Sequence, residues 1–527
     1  MEVGFDMLEE WEEEPLTSNM SDVHRLRRVG EDPDRVRDAM MADDTKGVEL
    51  MMKQTVENGF PQDRVADLQR IVTSVDVWRT KFRADDPPAK VEPMEIELKP
   101  DARHYRCAAR KLNPYEKRFL DAFAAILLEA GVIWKNDRSK YCSPVNPVLK
   151  PGGIHKRDLK SKEWSDEELL QHFRLTIDYR VINSMTVPSA GAMPFQVEIL
   201  EHVQGAVVLA VFDLIKGFWQ MPLAEASRQV LSFMVNGKIM TPTRVMQGHV
   251  DSALYFQKTM ENVCGSLLYH NLLAWIDDVL LFAKSIDEYL EKLETFLGLM
   301  QTHGLKLNPL KCRLYNTSVK WCGRVISGQG VKHDPARVEA LQAIPYPTNA
   351  GQLQQFLCSV NWMRDHIPGY ATRVALLTKR LDESLKGKGR KKRVAAGVLV
   401  DLSPDERECW DAIKRDLSTM VEVAYPHEDA NMCLLTDASD EGWSIIVTQV
   451  HDFNETIPID EQEHEMLTCQ SGLFTDPGLP WYPHRQCHIH ISDSRLRGRR
   501  GWSLRQEMER LGDTQRERMS CRHGCLG

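Results

Sequence analysis

The spacing of apolar residues predicts two long helices and one buried strand in the middle of the chain. Residues 113–131 carry aromatic and aliphatic side chains at helical spacing, and Gly131 is a typical helix stop. Residues 285–304 form an amphipathic pattern that ends at Gly304. Residues 206–213, with the sequence AVVLAVFD, are apolar up to a final aspartate, which is typical of a strand buried on both faces.

Two further segments have the pattern of strands. Residues 272–283, LLAWIDDVLLFA, predict two strands that fold into a hairpin about Asp277 and Asp278. Residues 173–182, FRLTIDYRVI, are also strand-like. Strands and helices therefore alternate around a β-α-β-β-α-β unit, which predicts a split βαβ sheet and an α+β fold.

The ends of the chain are organised differently. Residues 1–92 mix charges with few aromatic side chains, and we interpret them as a flexible leader with short helices. A basic segment, KGKGRKKR (386–393), precedes a second unit that contains the strand-like runs CLLTDAS and GWSIIVTQV. This segment fits a solvated linker, a nuclear-import patch or a contact to a nucleic-acid duplex.

Composition excludes several classes of protein. The 527 residues suffice for about three domains, and 42% are hydrophobic, which argues against global disorder. No apolar run approaches the ~20 residues of a membrane span, so we expect no membrane partner. The acidic amino terminus does not resemble a signal or transit peptide, and the twelve cysteines are unevenly spaced. We therefore expect an intracellular protein, cytoplasmic or nuclear, and not a secreted one.

The net charge of −9 conceals an uneven distribution. Residues 1–24 carry eight acidic and no basic residues, and residues 416–484 carry fourteen acidic and no basic residues. Residues 25–415 have a net charge of +8. A positive sign is expected where a protein binds phosphate backbones.

Three carboxylates are the strongest candidates for chemistry. Asp213 ends the predicted buried strand, while Asp277 and Asp278 lie between apolar flanks in the hairpin. Buried carboxylates require a compensating partner, and two Mg²⁺ ions would both provide one and support phosphoryl transfer. The Asp-Asp pair alone is more typical of an ordinary surface turn, and it is the surrounding motifs that favour the metal site.

Those motifs resemble a known family. Three segments resemble the polymerase signatures of reverse transcriptases, in particular those of gypsy-type LTR retrotransposons: VFDLIKGFWQMPL (211–223), WIDDVLLF (275–282) and FRLTIDYRVIN (173–183). The resemblance runs co-linearly through about residues 90–480. It implies DNA synthesis on RNA or DNA templates, with two Mg²⁺ ions (Mn²⁺ being an alternative) as cofactors. The implied partners are an RNA template, a DNA primer/template duplex and dNTPs, while the oligomeric state stays open.

The resemblance also implies a right-hand polymerase followed by a truncated RNase H-like α/β unit. The implied domains are a leader (1–92), fingers and palm (93–334), thumb or connection with the basic linker (335–395), a partial RNase H-like domain (396–481) and an unstructured Arg-rich tail (482–527).

The resemblance assigns roles to the carboxylates and their neighbours. Asp213 and Asp277 would ligate the metal ions, assisted by the main-chain carbonyl of Leu214, and Asp278 would complete the acidic cluster. Trp275 stands where the family usually has tyrosine, and would place an apolar surface against the primer end. Phe218 would block the 2′-hydroxyl of a ribonucleotide, although a core phenylalanine is the simpler alternative.

Other residues would bind the nucleotide. Arg174 would bind the triphosphate, for which a planar guanidinium is suited, and Lys150 would contact phosphate from the fingers. Gln247 and Gly248 would position nucleotide and template. Lys311 would act as general acid toward the leaving pyrophosphate. For Arg174 and Lys311, a solvated surface side chain is the alternative.

Two sequence departures accompany these assignments. Met246 replaces a customary proline and His249 is unusual, which leaves the local backbone geometry open.

Residues 320–327, KWCGRVIS, would form a primer-gripping hairpin in which Trp321 and Gly323 contact primer or template.

The resemblance to RNase H is incomplete. Asp437 would be the first carboxylate of that domain, but the similarity stops at Trp481. We interpret the remaining tail as out-of-frame or decayed, with a zinc site in residues 487–490 and 521–525 as a less favoured alternative. For the whole chain, the rivals are an RNA-dependent RNA polymerase and a non-catalytic relic that at most binds nucleic acid.

Overall fold

A computed structural model describes residues 33–83, 85–150, 159, 163–194, 200–438, 442–473 and 488–492. The chain divides into two compact units, residues 1–335 and residues 336–527. Residues 1–32, 151–158, 474–487 and 493–527 lie outside the described residues, together with the sequence predictions made for them. These include the acidic start of the leader and the Arg-rich tail apart from residues 488–492. Of the candidate zinc segments, residues 487 and 521–525 lie outside the described part.

The helices of the first unit are α1 (Pro33–Glu57), α2 (Val65–Thr73), α3 (Pro114–Glu129), α4 (Asp166–His172), α5 (Arg180–Met185), α6 (Gly217–Gln220), α7 (Glu225–Arg228), α8 (Ser252–Val263) and α9 (Ile286–His303). Its strands are β1 (Ile133–Lys135), β2 (Ser143–Leu149), β3 (Phe173–Ile177), β4 (Val208–Asp213), β5 (Phe233–Val235), β6 (Lys238–Pro242), β7 (Leu272–Trp275), β8 (Asp278–Ala283), β9 (Arg313–Asn316), β10 (Ser318–Trp321), β11 (Arg324–Ser327) and β12 (Gly330–His333).

The two long predicted helices are confirmed. Helix α3 begins with a capping box, in which Asn113 Oδ1 accepts from Glu116 N (2.8 Å) and Glu116 Oε2 accepts from Asn113 N (2.9 Å). Helix α9 is capped by the Ser285 side chain and ends at Gly304, whose φ of 69° is the left-handed conformation that favours glycine.

The strands of the first unit lie in three sheets. Strands β10, β11 and β12 belong to one of these sheets, and strands β1-β6-β5-β2-β3 form another, with β2 parallel to β5. Strands β7-β8-β4-β9 form an antiparallel sheet, which we call the palm sheet. Its strand β4 is completely apolar up to Asp213, and Phe212 packs against Phe296 of α9 with ring centroids 4.7 Å apart. The predicted split βαβ arrangement is thus confirmed, with α8 and α9 packing on the palm sheet.

The prediction of a flexible leader is wrong for residues 33–92. Helices α1 and α2 fold onto the core of the first unit, where Met51, Phe60 and Leu68 are all buried. Helix α1 has only weak apolar periodicity, which did not reveal it, whereas Leu68, Ile71 and Val72 of α2 form a short apolar stripe that the sequence analysis overlooked.

The second unit begins with helices around their own core. They are α10 (Pro335–Gln342), α11 (Ala350–Asn361), α12 (Tyr370–Leu385), α13 (Lys392–Ala395) and α14 (Pro404–Ser418). Trp410 of α14 is fully buried and stacks on Phe356 of α11, with ring centroids 3.7 Å apart. The basic segment 386–393 is exposed between α12 and the end of α13.

The remaining strands of this unit are β13 (Val423–Ala424), β14 (Asn431–Ala438), β15 (Gly442–Val450), β16 (Glu465–Leu473) and β17 (His488–Ser492). They include a sheet of order β16-β15-β14-β17, in which both predicted strands, β14 and β15, are present. The prediction of an unstructured tail is wrong for residues 488–492, because β17 pairs antiparallel with β14. None of the helices among the described residues combines the length and apolarity needed to cross a membrane.

Candidate active site

Three carboxylates meet at one end of the palm sheet. Strands β4 and β8 pair antiparallel, and their register sets Asp213 directly opposite Asp278. Asp277 lies in the turn between β7 and β8. The three candidate metal ligands predicted from sequence are therefore brought to the same edge of the sheet.

The turn of the hairpin is displaced by one residue from the prediction. Trp275 pairs with Asp278, so Ile276 and Asp277 form the two-residue turn and Asp278 already belongs to β8. Ile276 has a φ of 54°, a conformation that is unfavourable for a β-branched residue. The surrounding structure must therefore stabilise the turn.

Gln257 of α8 supplies that support. Its Oε1 accepts from Ile276 N at 2.8 Å, and its Nε2 donates to the carbonyl of Ala274 at 3.0 Å. The side chain is only 1% exposed. Sequence reasoning missed this role of Gln257, which follows the predicted positioning residues Gln247 and Gly248 in the chain.

Replacing Gln257 with methionine tests this support. The variant keeps the length of the side chain but leaves the Ile276 amide without its acceptor. We expect the free energy of unfolding to fall by about 1–3 kcal/mol in urea denaturation, together with slower catalysis. Gln355→Met, at an exposed position of α11, is the matched control. Equal stability of the two variants would contradict the role.

The loop that precedes β9 contacts the carboxylate cluster. Lys311 Nζ lies 3.6 Å from Asp213 Oδ1, and Asn308 N donates to the carbonyl of Asp213 at 2.9 Å. Lys311 was predicted to lie near the leaving group, and the structure places it beside the first carboxylate.

The electrostatics of the cluster are unfavourable for a negative charge on Asp278. Burial raises the pKa of Asp278 to about 8, with further increases from the neighbouring Asp277 and Asp213, while Lys311 opposes the shift. Crowded carboxylates of this kind are stabilised by a bound cation.

The donor set fits a cation that arrives with its own phosphate ligands. Among the described residues, no group of three His, Cys, Asp or Glu side chains is arranged to hold a metal by itself. Mg²⁺ commonly takes only one or two protein carboxylates and completes its shell with water and substrate phosphates. Asp213 and Asp277, on adjacent elements, are suited to that mode of binding.

Helix α6 brings Phe218 to the site. A Cβ atom at Gly217 would lie 2.9 Å from Phe256 Cζ and 3.2 Å from Asp277 Cβ, so only glycine permits this close approach. The half-buried ring of Phe218 packs at 5.0 Å from that of Phe256. The ring of Phe218 thus packs on α8, next in the chain to the residue that approaches Asp277.

The predicted positioning loop is held by Asn183, which the sequence argument did not single out. Its Nδ2 donates to the Gly248 carbonyl (3.0 Å), and its Oδ1 accepts from Val250 N (3.1 Å). Gln247 and Gly248 are exposed, and Gly248 has a φ of 98°. Asn183 therefore holds the backbone of the loop, while Gln247 and Gly248 remain accessible to a ligand.

The two unusual residues of this loop are accommodated inside the core. The Met246 side chain is buried, and its carbonyl accepts from Ser252 Oγ at 2.8 Å. His249 is also buried, which lowers its pKa to about 4, and its Nε2 lies 3.2 Å from Thr186 Oγ1. Neither departure disrupts the loop.

The fingers residues lie on the other sheet. Arg174 of β3 is paired with Val148 of β2. Its Nε is buried and, in the part of the chain that the structure describes, has no hydrogen-bond partner. Lys150 N donates to the His172 carbonyl (2.9 Å) just before residues that are not described. Their predicted contacts with phosphate stay predictions.

The proposed primer-gripping hairpin forms as predicted from β10 and β11, with Cys322 and Gly323 in its turn. Trp321, however, is 2% exposed, so its indole offers no surface to a primer in this conformation.

Trp275 is half-buried beside the carboxylates, and Asp437 is exposed on β14 of the second unit.

Comparisons with known proteins agree with this geometry. The family described as reverse transcriptase (RNA-dependent DNA polymerase) has a model that matches residues 154–326. The fold is shared with a foamy viral protease-reverse transcriptase solved with double-stranded DNA, with a TM-score of 0.67, 18% identity, and coverage of 83% of this chain and 69% of that one. The same viral protein in complex with an RNA/DNA hybrid gives a TM-score of 0.63 at 18% identity, covering 83% of this chain and 53% of that one.

The fold is that of the polymerase part of a reverse transcriptase, which confirms the predicted α+β right-hand fold class. Sequence relatives indicate which group of reverse transcriptases the chain resembles. The Pol polyprotein of transposon gypsy from Drosophila melanogaster is 27% identical over 326 residues, which are 61% of this chain and 30% of the polyprotein. That of transposon 412 from the same organism is 24% identical over 404 residues, which are 75% of this chain and 30% of the polyprotein.

Residues 154–326 therefore match the reverse transcriptase family, and the similarity to Pol polyproteins of gypsy-type retrotransposons confirms the predicted resemblance. Its aligned part spans about a third of the length of these relatives. Reverse transcriptases use divalent metal ions, and this requirement agrees with the crowded carboxylates.

Proposed function

We propose that this protein is an RNA-directed DNA polymerase that extends the 3′-hydroxyl of a primer with dNTPs on an RNA or DNA template. The observation that carries the proposal is the position of Asp213 opposite Asp278, with Asp277 in the adjoining turn and Lys311 beside Asp213. This arrangement suits the transfer of a nucleotidyl group, with attack on the α-phosphate and loss of pyrophosphate.

Asp213 and Asp277 would hold two Mg²⁺ ions, for which Mn²⁺ is an alternative. When bound, such ions stabilise the charge on the attacking and leaving oxygens of a phosphoryl transfer. Asp278 would complete the acidic cluster and lose its proton when the cations bind, because a nearby positive charge lowers the pKa of a carboxyl group. The rigid pairing of β4 with β8 fixes the spacing of these groups before substrate binds.

Lys311 would protonate the leaving pyrophosphate. Its ammonium group lies at the same edge as the carboxylates, where a departing phosphate oxygen would accept the proton. Arg174, Lys150, Gln247 and Gly248 are proposed to bind the triphosphate and the template. The net charge of +8 on residues 25–415 supports binding of the nucleic-acid backbone.

Primer extension on poly(rA)·oligo(dT) with dTTP and Mg²⁺ tests the proposal. We expect extension by the full chain, and its loss when EDTA is added. Without Mg²⁺-dependent extension, the non-catalytic alternative, a relic that at most binds nucleic acid, would replace the proposal.

Phe218→Val separates DNA synthesis from RNA synthesis. Removing the ring of Phe218 would admit the 2′-hydroxyl of a ribonucleotide. We expect selectivity for dTTP over UTP, measured as the ratio of kcat/KM values, to fall by about 10- to 100-fold. A wild type that already prefers UTP would instead support an RNA-dependent RNA polymerase.

We also propose an intracellular location, cytoplasmic or nuclear. All nine cysteines in the described part of the chain are free thiols, which agrees with a reducing compartment.

A further inference from the structure

The described residues of the segment before α3 surround a loop of the active site. We propose that residues 44–86, which we call the N-terminal brace, position the loop formed by residues 306–311, and through this loop Asp213 and Lys311. The brace lies outside residues 154–326, which match the reverse transcriptase family. The inference rests on the proposed polymerase function, and it adds positioning residues to that site.

A short ladder joins the brace to the loop. Leu307 N donates to the carbonyl of Val77 (2.8 Å), and Arg79 N donates to the carbonyl of Leu307 (2.9 Å). Leu307 also forms an antiparallel bridge with Leu214, the residue after Asp213. The loop is therefore held between the brace on one side and the end of β4 on the other.

The same loop holds the catalytic groups. Asn308 N donates to the carbonyl of Asp213 (2.9 Å), and Ile215 N donates to the carbonyl of Lys306 (3.2 Å). Lys311, three residues after Asn308, carries the ammonium group that lies 3.6 Å from the Asp213 carboxylate. A shift of the loop would move both of these groups.

Ion pairs fix the brace to the loop. The buried guanidinium of Arg79 binds Asp76 (2.6 Å) and Asp86 (3.0 Å). Asp76 in turn accepts from Lys306 Nζ (3.0 Å). The hydrogen bond from Arg79, with a contribution from Lys306, holds the pKa of Asp76 well below its usual range, so this carboxylate stays charged.

Within the brace, helix α1 contacts both Thr80 and the loop. Asp44 Oδ1 accepts from Thr80 N (2.6 Å) and from Thr80 Oγ1 (2.7 Å). A Cβ atom at Gly47 would lie 2.8 Å from Thr80 Cγ2 and 2.9 Å from Pro309 Cγ. Glycine in a helix interior costs roughly 1 kcal/mol relative to alanine, so its presence here accords with the close approach of α1 to Pro309.

The pair Gly47→Ala and Gly298→Ala tests the inference with the same chemical change. Gly298 lies within α9, where an added Cβ would have no heavy atom within 4 Å. We expect Gly47→Ala to lower kcat for single-nucleotide extension about 10-fold, because small displacements of catalytic groups are costly. The KM for primer–template should stay within about twofold of wild type, and Gly298→Ala should match wild type in both constants.

Two further measurements separate positioning from folding. Asp76→Asn removes the charge that pairs with Arg79 and Lys306. It should also lower kcat, by about threefold, at a temperature well below the midpoint of thermal unfolding, where the variant is fully folded. Hydrogen exchange at the Leu307 and Asn308 amides should be faster in Gly47→Ala than in Gly298→Ala, whether or not the protein has polymerase activity. Wild-type kcat and unchanged exchange in Gly47→Ala would overturn the brace, whereas failure of the wild type to extend primers would overturn the proposed function alone.

Discussion

Asp213→Asn is expected to reduce primer extension by about 10³-fold or more. The substitution preserves the shape of the side chain at the end of β4 but removes the charge that would hold a divalent cation, and such ions contribute several kcal/mol to the stabilisation of a phosphoryl transition state. It also leaves Lys311 without the carboxylate that lies 3.6 Å from its Nζ. Single-turnover extension of a labelled primer under saturating dNTP measures the loss.

Asp121→Asn is the matched control for this experiment. Asp121 is exposed on α3, so the same change of charge there should leave the rate within about twofold of wild type. Binding of primer–template, measured by fluorescence anisotropy, should be similar for both variants. A residual rate within tenfold of wild type for Asp213→Asn would mean that the metal-binding role belongs to other residues.

Asp278→Asn is expected to stabilise the protein at neutral and alkaline pH in the absence of divalent ions. The pKa of Asp278 is raised from 3.8 to about 8, chiefly by burial and then by repulsion from Asp277 and Asp213. Between these two values the folded protein binds a proton that the unfolded chain has lost, so wild-type stability falls as the pH rises from about 4 to about 8. The introduced asparagine cannot titrate, so the variant should not undergo this loss. For the wild type, the loss in free energy of unfolding is on the order of several kcal/mol.

Urea denaturation at pH 5 and pH 8.5, in the presence of EDTA, measures the effect. The difference between the variant and the wild type should be larger at the higher pH, whereas Asp121→Asn should show no such increase. Added Mg²⁺ should restore wild-type stability at pH 8.5 if cations occupy the site. A variant no more stable than wild type at pH 8.5 would show that the buried carboxylate is not held in an unfavourable state.

The elements that carry Asp213, Asp277 and Asp278 were predictable because each has a local signal. Strand β4 is apolar up to Asp213, and helix α9 has a regular apolar stripe with a glycine at its end. The hairpin tip was misplaced by one residue because the register of β7 and β8, which pairs Trp275 with Asp278, is not visible in the periodicity.

The contacts that support the site were not predictable in the same way. Gln257 is an ordinary polar residue of an amphipathic helix, and its role depends on a turn nineteen residues away. The helix α1 has weak apolar periodicity, and its fit depends on Gly47 meeting Pro309. The raised pKa of Asp278 likewise follows from burial among other carboxylates, which no single segment reveals.

The brace also has a consequence for the order in which the polymerase unit forms during translation. Trp78 pairs with Leu307, and the carbonyl of Asp213 accepts from Asn308 N. Residues 78 and 213 are therefore translated well before the loop residues that they contact. Such pairings between distant segments are slow to close and leave apolar surface exposed in the meantime. A ribosome-bound chain that ends before residue 306 therefore has no complete catalytic centre, and the emerging α1 and α2 lack part of the surface on which they fold.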